Sequence, residues 1–269
     1  MKKYIYLYPP LVERILAEEA TRKDPDKAVK TRLHQLYGAY VQPSAYKKAV
    51  AVLNINNKAL SVPEAGGILR LHASTRERLP HYPDFYRFIF EHVPPPESIV
   101  DLGCGFNPFS LPFLFEASPD IQAKLQTYYA YDICTQQAEL LNRFFTVYGL
   151  PPAAECRDLA TPEPFDSEPP KADLVFMLKL LPVLEAQSPD SGFRLACCLH
   201  ARHLVITYPL KSLGGKEKGM ARHYRHTFET AFNAGKLSPF IPVTERQIGT
   251  EWVYILTNVN ASPTSPKST

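Results

Sequence analysis

The stretch Val100 to Pro108, VDLGCGFNP, sets two glycines two residues apart straight after an apolar run that ends in an acid. Gly103 and Gly105 permit a tight turn and a close approach of a ligand to the backbone. A dinucleotide fingerprint carries a third glycine and wraps its amides around a pyrophosphate. Here that third place is filled by Pro108, a residue suited to the first position of a helix. Asp101 stands just before the loop, where its charge repels a pyrophosphate and favours an ammonium group. Two further acids end apolar runs downstream, Asp132 in YAYD and Asp158 in ECRD. At strand tips they are placed to accept hydrogen bonds from ribose hydroxyls and from an adenine amino group respectively. A ligand with a cationic amino-acid end and a nucleoside end fits this set, which points to S-adenosyl-L-methionine; a nicotinamide nucleotide or an ordinary turn are the competing readings.

Other reactive groups are sparse. There are no paired catalytic carboxylates, no triad-like serine or cysteine, and no Asn-Pro-Pro-Tyr type motif. The five cysteines (104, 134, 156, 197, 198) show neither C-x-x-C nor zinc spacing, so they read as free thiols of a reducing compartment, with Cys104 a small packing residue. His223 and His226 lack companion ligands and read as part of a basic segment, so no metal is expected. The first twenty residues carry acids where a signal peptide has its apolar core, and no window holds the roughly 18 apolar residues a bilayer span needs. The expectation is a cytoplasmic protein without membrane contact.

Charge is unevenly placed. Residues 1–96 hold 15 Lys/Arg against 9 Asp/Glu, whereas the remainder is slightly acidic. A second basic concentration lies in Tyr208 to His226, where Lys211, Lys216, Lys218, Arg222 and Arg225 face only Glu217. Two such regions form the electrostatic footprint that a phosphate backbone attracts.

These groups need elements to hold them. Pro9–Ala20, Lys27–Tyr40, Ser44–Leu53 and an interrupted stretch Ile68–Glu91 carry apolar residues at helical spacing, and Pro94-Pro95-Pro96 closes the segment. Ser98–Asp101, Tyr128–Asp132, Ala153–Asp158, Ala172–Met177 and His203–Tyr208 read as strands separated by helices or turns. Pro242–Asn258 reads as a hairpin around Ile248-Gly249-Thr250. Trp252 within it is expected to be core or partial core, and Tyr4, Tyr6 and Tyr8 to form a packing arm or to touch nucleic acid. The fold class is α/β: a mostly parallel Rossmann-like sheet closed by an antiparallel hairpin, with ligands at the strand carboxyl ends and an N-terminal helical domain. Residues 1–96 are read as the helical domain, 97–260 as the cofactor-binding domain and 261–269 as a disordered tail.

Six stretches together are more specific than any glycine loop. TRLHQLYGAYV (31–41), LHASTRERL (71–79), DLGCGFNP (101–108), FMLKLLPVLE (176–185), LVITYPLKSLGGKEKGM (204–220) and IGTEWVYIL (248–256) resemble the Arm/Rmt family of aminoglycoside-resistance 16S rRNA methyltransferases. Enzymes of that family methylate N7 of a decoding-site guanine in the small ribosomal subunit. The resemblance implies a class I methyltransferase sheet, an S-adenosyl-L-methionine cofactor, and a monomer acting on 16S rRNA in the 30S subunit. It implies that His72 and Arg78 belong to the cofactor site, Arg78 pairing with the methionine carboxylate. Asp101, Gly103 and Gly105 would line the methionine side, Asp132 the ribose, Asp158 and Leu159 the adenine, and Lys179 and Leu180 the mouth. Lys27, Lys30 and Arg32 of the front segment, with Lys211, Lys216, Lys218, Met220 and Arg222, would meet RNA, and Lys179 and Met220 would help position the target. Pro151-Pro152, Ser118–Gln126 and Thr161–Lys171 depart from the family pattern as insertions. The remaining alternatives are methylation of another RNA site or a small molecule, and a ribosome-binding module without catalysis.

Overall fold

The computed structural model describes residues 4–56, 58–165, 168–211 and 219–261. Before the sheet the chain is helical: α1 (Pro9–Glu19), α2 (Pro25–Leu33), α3 (Pro43–Asn56), α4 (Val62–Leu69), α5 (Ala73–Arg78) and α6 (Tyr82–Phe90). Local signals set these boundaries. Prolines occupy the first turns of α1 and α2, where a missing N–H costs nothing. The Asp24 carboxylate accepts from the Lys27 amide at 3.1 Å, and Ser61 with Glu64 closes a capping box on α4. The helix expected over 27–40 instead passes from α2 into a π-helical turn, His34–Gly38. The extra residue in that turn sends Tyr37 into the core, its hydroxyl 3.1 Å from that of Tyr46.

Seven strands follow, with helices between them: β1 (Ser98–Leu102), α7 (Leu111–Ala117), α8 (Pro119–Lys124), β2 (Thr127–Asp132), α9 (Thr135–Val147), β3 (Ala154–Cys156), β4 (Ala172–Leu178), α10 (Leu181–Glu185), α11 (Ser191–Cys198), β5 (Ala201–Pro209), α12 (Met220–Asn233), β6 (Phe240–Ile248) and β7 (Glu251–Asn258). They form one sheet in the order β3-β2-β1-β4-β5-β7-β6. The first five strands are mutually parallel, and β7 runs antiparallel to both β5 and β6. The stretch 118–126, expected as an insertion, carries the short helix α8. The third strand is shorter than expected, three residues from Ala154 to Cys156, and the Asn142 side chain holds both backbone groups of Ala154 at its start.

Adjacent apolar residues in the strands feed opposite faces, as a period of two requires. Ile99, Leu174, Val205 and Ile255 point into one core; Val100, Val175, Ile206 and Leu256 into the other. The first core is continuous with α1 through α4, α6, α7 and α9, and the second is covered by α10, α11 and α12. Both faces of the sheet are thus sealed, which explains why the parallel strands read as unbroken apolar runs. The N-terminal arm packs against the segment after β2: the Tyr8 amide donates to the Ile133 carbonyl and the Thr135 amide to that of Tyr6, both at 2.8 Å. On the outer edge β6 carries Pro242 and a register shift between Pro242 and Thr244. Among the described residues no helix is long and apolar enough to cross a membrane. Most of the tail read as disordered, 262–269, lies outside the described residues.

Phe144 on α9 is fully buried, with its ring 4.7 Å from that of Phe109 and 4.8 Å from that of Tyr148. Phe144→Ala is expected to lower stability by about 3–5 kcal/mol, read from the midpoint of urea unfolding at neutral pH.

Candidate functional site

The chain leaves the middle of the sheet along β1, goes outward through β2 and β3, then returns to β4 on the other side of β1. Such a reversal opens a crevice at the strand carboxyl ends. The loop after β1 fills it. Gly103 and Gly105 adopt φ of +61° and +52°, the left-handed region that side chains disfavour. Each also lacks room: a Cβ would lie 2.7 Å from Leu180 Cδ1 at the first and 2.9 Å from His72 Cε1 at the second. Pro108 sits in a single 3₁₀ turn, Asn107–Ser110, that leads into α7. The Asp132 carboxylate fixes the loop by accepting from the Gly105 and Ile133 amides, both at 2.7 Å. Burial raises the Asp132 pKa, and these two bonds pull it partly back.

Above the loop lies a cleft enclosing about 940 Å³ of empty space, open solvent at its mouth included. His72, Arg78, Gly103, Gly105, Asp132, Asp158, Leu159, Lys179 and Leu180 all line it, so the structure brings together nine of the ten residues expected there. Asp101 is the exception. It does not line the cleft; its side chain is fully buried, with Oδ2 accepting from Asn107 Nδ2 and the Tyr128 hydroxyl at 2.8 Å each. The expectation that it meets a ligand ammonium directly is corrected: alternation along β1 turns it under the loop rather than over it. Burial pushes its pKa up to about 7, against the opposing effect of the Asn107 and Tyr128 bonds.

His72 caps the start of α5 and stacks between Tyr40, at 5.8 Å, and Phe106, at 5.4 Å. Burial first, then the charges of Arg78, Lys179 and Arg76, hold its pKa down to about 3. The ring is therefore neutral at physiological pH, and its Nδ1 is buried without a partner.

Arg78 is held differently from the expectation that its fork serves a ligand carboxylate. Nε and Nη2 bond Glu251 on β7 at 3.0 and 2.7 Å, and Nη1 bonds Asn107 Oδ1 at 3.2 Å. The fork is thus taken by Glu251; beyond these bonds Nη1 and Nη2 each carry a second hydrogen, which leaves the outer edge of the guanidinium as the face a carboxylate can meet. Glu251 also accepts from Thr207 Oγ1 at 2.7 Å and lies 3.4 Å from Lys179 Nζ. Burial alone would raise its pKa; the Arg78 and Lys179 charges outweigh that and hold it at about 2. Lys179, at a φ of +58° unusual for a side-chain-bearing residue, donates Nζ to Glu77 at 2.7 Å.

Asp158 is likewise engaged. Arg14 of α1 reaches it through Nε to Oδ2 at 2.7 Å and Nη2 to Oδ1 at 3.0 Å. Sequence reasoning missed Glu251, Asn107 and Arg14. A signal existed for the first, a lone acid opening the apolar run WVYIL, and for the second, an amide inside the loop itself; Arg14 sits on an amphipathic helix face among other charges and carried none.

A second, wider groove adjoins the cleft and shares Leu36, Tyr40, Ser74, Lys179, Val183 and Gln187 with it. Of the residues expected to meet RNA, Lys27, Arg32, Lys211 and Met220 line this groove. Lys30 and Arg222 are exposed on α2 and α12 but do not line it, and Lys216 and Lys218 lie outside the described residues. Arg32 is balanced by ion pairs to Glu18 and Glu19. Arg225, counted in the basic concentration, is instead bonded to Glu245 at 2.9 Å and lies over the Trp252 ring at 4.6 Å. Trp252 is partly buried and donates Nε1 to the same carboxylate at 3.1 Å.

Residues 2–251 match the model of a family described as ribosomal RNA methyltransferase (FmrO). A 16S rRNA (guanine(1405)-N(7))-methyltransferase of Micromonospora rosea is 32% identical over 267 residues, covering 95% of this chain and 92% of that protein. One of the same description from Serratia marcescens is 32% identical over 259 residues, covering 95% and 93%. Among solved structures, the 16S rRNA methyltransferase RmtF in complex with S-adenosyl-L-homocysteine superposes with a TM-score of 0.79 at 31% identity, over 96% of this chain and 94% of that one.

The two buried acids predict opposite responses to pH. Glu251, depressed to about 2 from 4.5, contributes stability that is fully present above about pH 4.5 and is lost as pH falls toward 2. Glu251→Gln leaves Arg78 buried without its counter-charge and is expected to cost about 3–5 kcal/mol at pH 7. That cost is expected to shrink at pH 3, as chemical unfolding at the two pH values measures; an unchanged cost contradicts the assignment. Asp101, raised to about 7, takes up a proton on folding, so its ionisation removes stability progressively from about pH 4 to 7. Asp101→Asn keeps an oxygen for Asn107 and Tyr128, and its Tm relative to the unsubstituted protein is expected to be more favourable at pH 8 than at pH 5.

Proposed function

This chain belongs to the FmrO family of ribosomal RNA methyltransferases, and on that premise we propose that it transfers a methyl group from S-adenosyl-L-methionine to N7 of guanine 1405 of 16S rRNA in the 30S subunit. The same modification would give resistance to aminoglycosides. The observation that carries the reading is the junction of the cleft over the glycine loop with a second groove, lined by Lys27, Arg32, Lys211 and Met220, at the carboxyl ends of β1 and β4.

The cleft fits the donor on its own terms. Apolar side chains line much of it, with a few polar groups set among them, as small-ligand sites require. Two glycines keep the loop backbone bare where a methionine moiety would lie, and the buried His72 Nδ1 has no protein partner. Arg78 would meet the methionine carboxylate with its outer edge, beside Gly103 and Gly105. Asp132, at the tip of β2, would accept from the ribose hydroxyls, and Asp158 with Leu159 would face the adenine. Lys179, Leu180 and the neutral His72 complete the wall. Asp101 contributes from beneath, through Asn107 and the buried charge balance, rather than by touch.

Bound in that cleft, S-adenosyl-L-methionine supplies an electrophilic methyl group on a sulfonium. The protein's part is alignment and exclusion of water. Guanine N7 carries an exposed lone pair and no proton, so displacement needs no general base. The charged groups of the wall agree with that division. Asp158 is committed to Arg14, and Lys179 to Glu77 and Glu251, while His72 at about 3 neither gives nor takes a proton near neutrality. A base stacked in a helix cannot reach the cleft, so the guanine must turn out into it, at a cost of a few kcal/mol recovered from phosphate and stacking contacts. Lys27 and Lys211 on the groove, with the exposed Lys30 and Arg222, are suited to hold the RNA backbone, and Met220 to press near the turned-out base; Lys216 and Lys218, which lie outside the described residues, are proposed to meet RNA on their charge alone. Residues 1–96 serve as the docking segment. We further propose that the protein works in the cytoplasm as a monomer, since the groove must stay open to a large particle.

Purified 30S subunits incubated with methyl-labelled donor are expected to carry label on N7 of guanine 1405. Label on another nucleotide, on protein, or nowhere overturns the reading. Replacing Lys27 and Lys211 together with glutamate is expected to weaken subunit binding and flatten its salt dependence, as titrations at several salt concentrations measure; an unchanged slope removes the groove from the docking surface.

A further inference from the structure

Arg14 lies in α1, outside the sheet and behind the donor cleft, yet it makes more polar contacts than either region explains. Nε bonds Asp158 Oδ2 at 2.7 Å, Nη2 bonds Asp158 Oδ1 and Gln187 Oε1 at 3.0 Å each, and Nη1 bonds Glu18 Oε1 at 2.9 Å. Arg14 does not line the cleft; Asp158 and Gln187 do. They belong to different segments, one just after β3 and the other after α10, and Arg14 is the side chain that bridges them. Its own side chain is about a fifth exposed, so the apolar core does not rest on it.

The bonding at Asp158 is informative. Oδ1 also accepts the Ala160 amide at 3.2 Å, so the carboxylate has three donors with its orientation fixed. An ionised carboxylate has about four acceptor positions. One therefore remains for a donor inside the cleft, such as an exocyclic amine. Without Arg14, Asp158 would lose both guanidinium bonds that orient it, and the carboxylate also borders an outer cleft lined by Tyr8, Arg157 and Glu163. Gln187 would keep only a 3.4 Å contact to the Val183 carbonyl.

We propose that Arg14 is a positioning residue for the methyl donor: from the helical segment it fixes both the Asp158 segment and the Gln187 segment that wall the nucleoside end of the cleft. This rests on reading the cleft as the donor site. The binding strength of the donor is then set partly by a residue outside the sheet that touches neither donor nor RNA. The reacting methyl lies at the other end, so turnover at saturating donor is independent of Arg14.

Calorimetry with the full chain and S-adenosyl-L-homocysteine, and separately with adenosine, tests this alongside steady-state kinetics on 30S subunits. Arg14→Gln is expected to weaken both ligands about tenfold, the loss of one charge-assisted hydrogen bond. It is expected to leave kcat at saturating donor, and KM for subunits, within about twofold. Arg14→Lys keeps the charge without the planar fork and is expected to recover part of the loss. Gln187→Leu, which removes one acceptor and leaves Asp158 paired, gives a smaller loss in the same direction and serves if the Arg14 variants fail to fold. Wild-type affinity in Arg14→Gln overturns the proposal, as does weaker binding of S-adenosyl-L-homocysteine with adenosine unaffected, or a fall in kcat with both affinities intact. If the unsubstituted protein binds neither ligand, the reading of the cleft itself fails and this inference with it.

Discussion

The Arg78–Glu251 pair joins the helical segment to the closing hairpin through a buried charge contact. Its side chains are 3% exposed each and meet at 2.7 Å. Taking both charges out of water costs several kcal/mol per ion, so the pair is poor evidence for stability by itself. Its value is geometric. Arg78 ends α5, Glu251 begins β7, Asn107 belongs to the glycine loop and Lys179 follows β4, and all four share one bonded cluster. The helical segment, the closing hairpin and the two loops of the crevice are therefore held in one relative position.

How much of this was legible follows from the range over which each signal acts. The strands were readable because both faces of the sheet are covered and their residues are apolar without interruption, as in LVFML of β4. The glycine loop and Asp132 were readable because the loop directly follows one strand and the acid ends the next. What failed depended on partners far along the chain. Arg78 and Glu251 are 173 residues apart, and Arg14 and Asp158 are 144 apart. Reading Arg78 and Asp158 as groups free to serve a ligand was natural for single residues; it was incomplete because a buried or half-buried charge needs a partner, and sequence does not say which. Asp101 illustrates a smaller failure. Its position beside the loop was right, but the period of the strand turned it to the underside.

A common physical logic runs through the site. Three side chains of the cleft wall are neutralised by desolvation or already matched by an opposite charge: His72 by the first means, Asp158 and Lys179 by the second. A reaction that moved a proton would need a group left poised between states. A displacement at an unprotonated ring nitrogen needs the opposite, a fixed field that holds one geometry and does not change during the step. The fixed ion pairs at Asp158 and Lys179 suit the latter.

The cleft wall is shared. Tyr37, Tyr40, Val41, His72, Ser74, Thr75 and Arg78 all precede β1, yet they stand opposite Asp132, Leu159 and Leu180 across the same space. The front of the chain is consequently not an interchangeable module. Exchanging it for another helical segment would strip away more than a third of the residues around the donor cleft, so the front of the chain and the sheet must change together or not at all.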